Sequence, residues 1–268
     1  MNRKKCIDKR NEALYERVHA YYEVNFRRSS NHSWGSDIEG DKVIIEFSAT
    51  THLIASFTHE LLHIDTQLNG YKRIRGGISL NKETNRELSR LTTCIDNEFQ
   101  HHKMYNKFIA MGFLPEEFYN DLDHNVIPYL EKVLSTPNER LASLVVDYLT
   151  LIAPGGVIGP AKFEELKQTF QSYGDRRFLS HFQVVDIIIS NWTTDESYDA
   201  EKYIKRLFCS LDAGPTWITY TDKLEDISKQ NFPSTGFFTE SGFTLEDLAR
   251  LYAAVGGKLY TSPHSGVL

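Results

Sequence analysis

Cysteine is scarce in this chain of 268 residues, and its distribution argues against a disulfide framework. The three cysteines, Cys6, Cys94 and Cys209, are far apart, odd in number and outside any Cys-x-x-Cys pair, which favours a reducing compartment. Long apolar runs are also missing, because the longest, Phe182 to Trp192, is interrupted by Gln183, Asp186 and Ser190. The sequence therefore predicts no membrane span and no secretory signal, and we expect a cytoplasmic protein.

An excess of positive charge is missing as well. Lysine and arginine number 30 against 36 acidic residues, a net charge of −6, which argues against nucleic acid as a partner. The basic residues at positions 3–5, 9 and 10 form only a small cluster, for which a solvated helix face is expected. With 41% hydrophobic and 12% aromatic residues, the chain can bury a core in one large or two modest domains.

The most informative pattern present is His-Glu-x-x-His, formed by His59, Glu60 and His63. Four residues advance an α-helix by about 400°, so the two imidazoles emerge on one face, near enough to share a metal ion. Glu60 stands about 100° round the helix, where its carboxylate can reach a water held by that ion. The pattern predicts a zinc site.

The surroundings of the motif favour this interpretation. Residues 42–47 are β-branched and apolar like a strand, and the hydroxyls of Ser48, Thr50 and Thr51 could cap a helix over 51–68. Asn69-Gly70 is expected to end this helix with a residue in the left-handed backbone conformation. An apolar stripe separate from the two histidines is expected to be buried, and it consists of Ile54, Phe57, Leu61, Ile64 and Leu68. The alternative is a pair of solvated or structurally hydrogen-bonded histidines on an amphipathic helix.

With strand, cap and motif helix in this order, residues 43–109 resemble the zincin metallopeptidases. The resemblance implies that His59 and His63 bind zinc and that Glu60 is the general base. The metzincin branch of zincins is excluded, since it requires Gly at 66 and His at 69, where this chain has Thr66 and Asn69.

A catalytic zinc site normally takes three protein ligands, so a third must come from elsewhere. The best candidate is Glu98, which occupies an apolar-type position of a second predicted helix over 91–105 and needs a partner if it is buried. Asn97-Glu98 also resembles the second motif of gluzincins, which implies that Glu98 is a ligand and that His102 orients a ligand histidine. His101 or His102 is the alternative ligand, followed by Asp96 and Asp147; Glu98 could instead pair with a basic residue.

Two further residues are expected to lie around the site without binding the ion. His52 shares the face of His59 but lies about 10.5 Å away along the helix axis, too far to bind the same ion. Tyr105 follows Glu98 along the same helical seam. The residue that would stabilise an oxyanion is left open among Tyr105, His124, Tyr148 and His181.

For the whole chain we predict an α+β fold that is mostly helical, zincin-like, with a small N-terminal β-sheet from strands near 21–26 and 43–47, an active-site helix and a helical C-terminal lobe. The Pro and Gly residues at 154–160 divide lobes 1–153 and 154–268, unless the chain forms one continuous domain. Further helices are predicted at 138–152, 161–170, 177–192, 198–211 and 245–255.

The function we predict is that of a zinc-dependent hydrolase, specifically an intracellular metallopeptidase that cleaves peptide bonds of a restricted peptide or protein substrate. Zinc would activate a water and Glu60 would take its proton. One alternative is a regulatory or defence protein whose peptidase cleaves one repressor or partner. Others are a metal hydrolase acting on a non-peptide bond and an inactive, metal-stabilised binding protein.

Overall fold

The computed structural model describes residues 3–30, 33–119, 126–135, 140–156, 159–172, 176–211, 213–220, 236–254, 256 and 260–261. Most of these residues are helical, and the helices are α1 (Glu12–His19), α2 (Leu53–Leu68), α3 (Lys82–Ala110), α4 (Val126–Ser135), α5 (Leu141–Ile152), α6 (Pro160–Ser172), α7 (Arg176–Thr194), α8 (Glu201–Ser210) and α9 (Leu245–Ala254). The strands are β1 (Glu23–Arg28), β2 (Gly35–Glu39), β3 (Lys42–Phe47), β4 (Gly76–Ser79), β5 (Thr216–Thr219), β6 (Gly236–Phe238) and β7 (Tyr260–Thr261). The predicted α+β, mostly helical class is confirmed at this level.

The N-terminal sheet has the strand order β1-β3-β2, with β1 parallel and β2 antiparallel to β3. Its central strand buries Val43 and Ile45 completely, as expected for alternating apolar positions. The strand predicted at 43–47 is confirmed as β3. The strand predicted at 21–26 is present as β1, which begins and ends two residues later. The edge strand β2, which lies between the two predicted strands, was not predicted.

A second sheet, with the order β6-β5-β4-β7 and antiparallel pairs throughout, was not predicted. It joins the segment just after α2 to the last fifty residues of the chain. The predicted helices at 161–170, 177–192, 198–211 and 245–255 are present, with ends shifted by at most three residues. The helix predicted at 91–105 is much longer, since α3 has 29 residues.

Among the described residues there are two large hydrophobic clusters and a small third one around Ile78, Trp217 and Leu248, and α3 contributes to both large clusters. The N-terminal core draws on residues 6–118, including Phe57 of α2 and Met104 and Phe108 of α3. The helical core draws on residues 71–237, including Leu91 and Phe99 of α3. At 1.5 Å per residue α3 is about 43 Å long, enough to cross from one core to the other. The segment of α3 between Phe99 and Met104 therefore lies where the two cores meet.

The predicted break at 154–160 lies between α5 and α6. Leu149 before the break and Leu166 after it pack into the same helical core. Division into two lobes stays a prediction. Among the helices of the described ranges, none is both long and apolar enough to cross a lipid bilayer.

Candidate metal centre

Helix α2 positions the His-Glu-x-x-His motif as the sequence predicts. Its start differs from expectation, because the N-cap residue is His52, whose side chain makes no capping bond. Its end is a Schellman motif: the amide of Gly70 donates to the Gln67 carbonyl, the amide of Tyr71 donates to the Thr66 carbonyl, and Gly70 has φ +107°. Both ends of the motif helix are therefore well defined.

A third imidazole, that of His101 on α3, joins His59 and His63. One nitrogen from each ring lies within 4.8 Å of the other two. The Nε2 atoms of His59 and His63 are 3.2 Å apart. Two nitrogens bound tetrahedrally at about 2.0–2.1 Å from zinc would be separated by about 3.3 Å, so this pair already has the required spacing. The donor set fits a zinc ion.

Burial governs the protonation of this group. His63 and His101 are buried, and His59 keeps partial exposure. Loss of solvation lowers the pKa of His59 well below its usual value, and repulsion from His101 adds to the effect. The pKa of His63 is lowered in the same way by burial, then by His59, His101 and Arg73. The imidazoles of His59 and His63 are therefore neutral near pH 7, the form that binds a metal.

Hydrogen bonds fix the orientation of the His63 ring. Its Nδ1 lies 3.1 Å from Oε1 of Gln100, and Nε2 of that amide donates to Oδ2 of Asp96 at 3.0 Å. Asp96 also accepts from the Ile74 amide at 2.7 Å and from Arg73 Nε at 3.3 Å. Because the amide can offer only its oxygen to His63, Nδ1 carries the hydrogen and Nε2 keeps its lone pair for an ion.

The predicted ligand Glu98 lies beside the histidine group and outside it. Glu98 is 2% exposed, and both its oxygens accept from the Tyr119 hydroxyl at 3.2 Å. One carboxylate oxygen is 3.5 Å from Nδ1 of His101, and the Tyr119 hydroxyl is 2.5 Å from the same nitrogen. Among the described residues the structure thus groups His101, the alternative ligand, with His59 and His63.

A short segment after α3, which we call the cover segment (Pro115–Tyr119), lies against the site. It begins with one turn of 3-10 helix, Pro115–Glu117. The ring of Phe118 is 2% exposed, and its centroid lies 4.6 Å from that of His59 and 5.3 Å from that of His101. The cover segment therefore closes one side of the group with an apolar ring.

The remaining predicted site residues are placed as follows. Glu60 is buried in α2 and directly follows His59 in the chain. His52 is 42% exposed, and its Nδ1 lies 3.2 Å from Oε1 of Glu117 in the cover segment. Tyr105 packs the edge of its ring on Phe118 with centroids 5.0 Å apart.

Other candidates lie outside the three-histidine group. Burial lowers the pKa of His102 to about 4, and its Nδ1 is 3.5 Å from the hydroxyl of Thr193. Asp147 forms an ion pair with Arg90, and Tyr148 donates to Asp186. His124 lies outside the described residues.

Sequence reasoning missed Gln100, Phe118 and Tyr119. Gln100 could have been found, because it follows Asp96 by four residues and therefore shares its helix face. Phe118 and Tyr119 lie beyond the end of α3, where no periodic pattern connects them to the motif. Their place against the site depends on tertiary packing.

Comparison with known proteins gave no match: no protein-family model fits the chain, and neither the curated proteins nor the solved structures contain a significantly similar chain.

Proposed function

We propose that the protein is a zinc-dependent hydrolase and, within that class, a metallopeptidase. The observation that carries the proposal is the group of His59, His63 and His101, whose nitrogens lie within 4.8 Å of one another beside the buried Glu60. Imidazole suits zinc, and three histidines are a known ligand set of catalytic zinc. The Gln100 and Tyr119 bonds to Nδ1 are the outer contacts that ligand histidines usually have.

In this proposal His59, His63 and His101 hold the ion. Zinc supplies a Lewis acid that lowers the pKa of water to about 7 and polarises a carbonyl. The Glu60 carboxylate accepts the proton of the attacking water and delivers it to the leaving amine. Glu60 directly follows His59 in α2, so the two side chains point about 100° apart around the helix.

A restricted peptide or protein substrate in the cytoplasm remains part of the proposal. Support for restriction comes from the cover segment, since Phe118 lies directly on two of the three imidazoles. Support for a reducing compartment comes from the three cysteines, none of which forms a disulfide. A regulatory or defence role, in which one partner protein is cleaved, is compatible with the same site.

One alternative is favoured by a specific observation. The burial of His63 and His101, together with the packing of Phe118 on His59 and His101, would also suit a metal-stabilised binding protein without turnover. A non-peptide hydrolase uses the same water chemistry, and the substrate alone separates it from a peptidase.

The test uses Glu60→Gln, which keeps the size of the side chain and removes the base. Zinc-loaded wild type and variant are incubated with peptides from a proteolytic digest of a cell lysate, and new termini are identified by mass spectrometry. We expect cleavage by wild type and a loss of at least about 100-fold in the variant, with zinc content unchanged. Equal cleavage by both proteins would reject the role of Glu60. No cleavage by wild type would favour the binding protein or the non-peptide hydrolase.

A further inference from the structure

The side of His101 that faces away from His59 and His63 contacts a buried tyrosine and a buried carboxylate. Tyr119 Oη lies 2.5 Å from Nδ1 of His101 and 3.2 Å from each oxygen of Glu98. A phenol has one hydrogen to donate, and the ionised carboxylate can only accept. With Glu98 as a carboxylate, the Tyr119 hydrogen is directed to Glu98 and the Tyr119 oxygen accepts from Nδ1–H of His101; the Asn97 amide nitrogen, 3.5 Å from the same Nδ1, is its more distant neighbour.

From this order of donors we infer that Tyr119 is a positioning residue for the metal centre: together with Glu98 it holds His101 as the Nδ1–H tautomer, with Nε2 available for the ion. The inference rests on the proposed function and extends it to a residue outside the His-Glu-x-x-His motif. Burial and the nearby Glu98 raise the pKa of Tyr119 well above its usual value, so the hydroxyl keeps its hydrogen.

Tyr119 and Glu98 also affect the electrostatics of the metal centre. Three neutral imidazoles leave the two positive charges of a zinc ion uncompensated, and Glu98 lies on the opposite side of the His101 ring, 2% exposed. A buried carboxylate is stabilised by an opposite charge nearby. Through the Tyr119 hydrogen bond, Glu98 makes His101 a more basic ligand.

The placement of Tyr119 depends on the cover segment, which is anchored at both ends. At its start, Glu117 accepts from the Leu114 amide at 2.8 Å and lies 3.2 Å from His52 of the α2 N-terminus. Phe118 then packs on His59. These contacts bring the phenol to His101 across 18 positions of sequence.

The experiment compares wild type with Tyr119→Phe, which keeps the ring and removes the hydroxyl. Tyr203→Phe is the matched control, because Tyr203 on α8 also donates to a carboxylate, that of Asp195 at 2.7 Å. Zinc affinity is measured by competition with a chromophoric chelator. The tautomer of His101 in the zinc-free protein is read from the ¹⁵N chemical shifts of its ring.

We expect Tyr119→Phe to bind zinc about 10- to 100-fold more weakly than wild type and to lose the pure Nδ1–H signature, with no change in Tyr203→Phe. Wild-type affinity together with an unchanged His101 tautomer in Tyr119→Phe would overturn the inference. The tautomer of His101 is measured in the zinc-free protein. A wild-type protein that binds no zinc would therefore refute the proposed function, and the ¹⁵N shifts of the His101 ring would still test the role of Tyr119.

Circular dichroism establishes whether Tyr119→Phe is folded. If it is not, Glu98→Gln replaces it, since this change keeps an acceptor for the phenol but removes the charge. A lower zinc affinity in Glu98→Gln, with zinc also lost in His101→Ala, supports the inference, and an affinity equal to that of wild type contradicts it.

Discussion

At the scale of single residues, the two motif histidines were predictable because their geometry is local. Residues four apart on a helix share a face whatever the rest of the fold does. The third histidine was not predictable in this way. Glu98 and His101 are three residues apart, so their side chains point only about 60° apart around α3. Which of them faces α2 depends on how the two helices cross, and that depends on packing.

The choice between His101 and Glu98 gives the first residue-scale prediction. In His101→Ala we expect zinc affinity to fall by more than about 100-fold, because a ligand is lost. In Glu98→Gln we expect a smaller loss, because only the contact behind the ligand changes. Zinc retained after dialysis, measured by elemental mass spectrometry, distinguishes the two.

His19→Ala is the control, since His19 is an exposed histidine at the end of α1. It should retain zinc like wild type. Zinc loss in Glu98→Gln with full retention in His101→Ala would reverse the assignment and restore Glu98 as the ligand.

At the scale of elements, most predicted helices have ends within three residues of those observed, α3 begins nine residues before its predicted start, and short strands were missed. Strands β4 and β6 contain four and three residues and are rich in glycine, too short to show alternation. Strand β5 is equally short, and its partner β4 lies more than 130 residues earlier in the chain. Such strands form because distant segments meet, which no local pattern records.

Gly155 and Gly156 belong to the break predicted at 154–160, and the structure adds a packing role for Gly155. Gly155 has φ +79°, and a Cβ there would lie 3.1 Å from the Tyr105 ring, 3.2 Å from the Pro115 carbonyl oxygen and 3.3 Å from Cβ of Phe118. The chain after α5 therefore approaches the cover segment closely enough to require glycine.

We predict that Gly155→Ala destabilises the protein more than Gly40→Ala does. Gly40 in the β2–β3 turn has φ +67°, but a Cβ there would meet no atom of the described residues within 4 Å. Both changes cost about 1–2 kcal/mol of backbone strain, and crowding of the cover segment adds at least about 1 kcal/mol at Gly155. Urea unfolding measures the difference. Equal losses would show that the cover segment is not tightly packed.

At the scale of the whole molecule, the sequence predicted the class but not how the parts are joined. Helix α3 serves both hydrophobic cores, and the metal group lies where those cores meet. Arg73, between α2 and β4, donates through Nε to Asp96 on α3 and through Nη1 to the carbonyl of Ser36 on β2, so both elements are tied to the site. Binding at this position should therefore stabilise the whole fold.

We accordingly predict that zinc raises the melting temperature. A ligand at 100 times its Kd stabilises the folded state by about 2.7 kcal/mol, which for a chain of this size is about 5 to 10 °C. Differential scanning calorimetry with added Zn²⁺ measures the shift. Mg²⁺, which prefers oxygen ligands, is the control ion and should leave the melting temperature unchanged. A melting temperature independent of zinc would argue against a site between the two cores.

The central claim, that His59, His63 and His101 hold one zinc ion, is tested most directly by metal content. Untagged protein is purified without chelator, dialysed against a small excess of Zn²⁺ and then against metal-free buffer, and analysed by elemental mass spectrometry. We predict about one zinc per chain in wild type and close to none in His59→Ala. Wild-type protein that retains no zinc after this treatment would contradict the claim and leave the three histidines as a purely structural cluster.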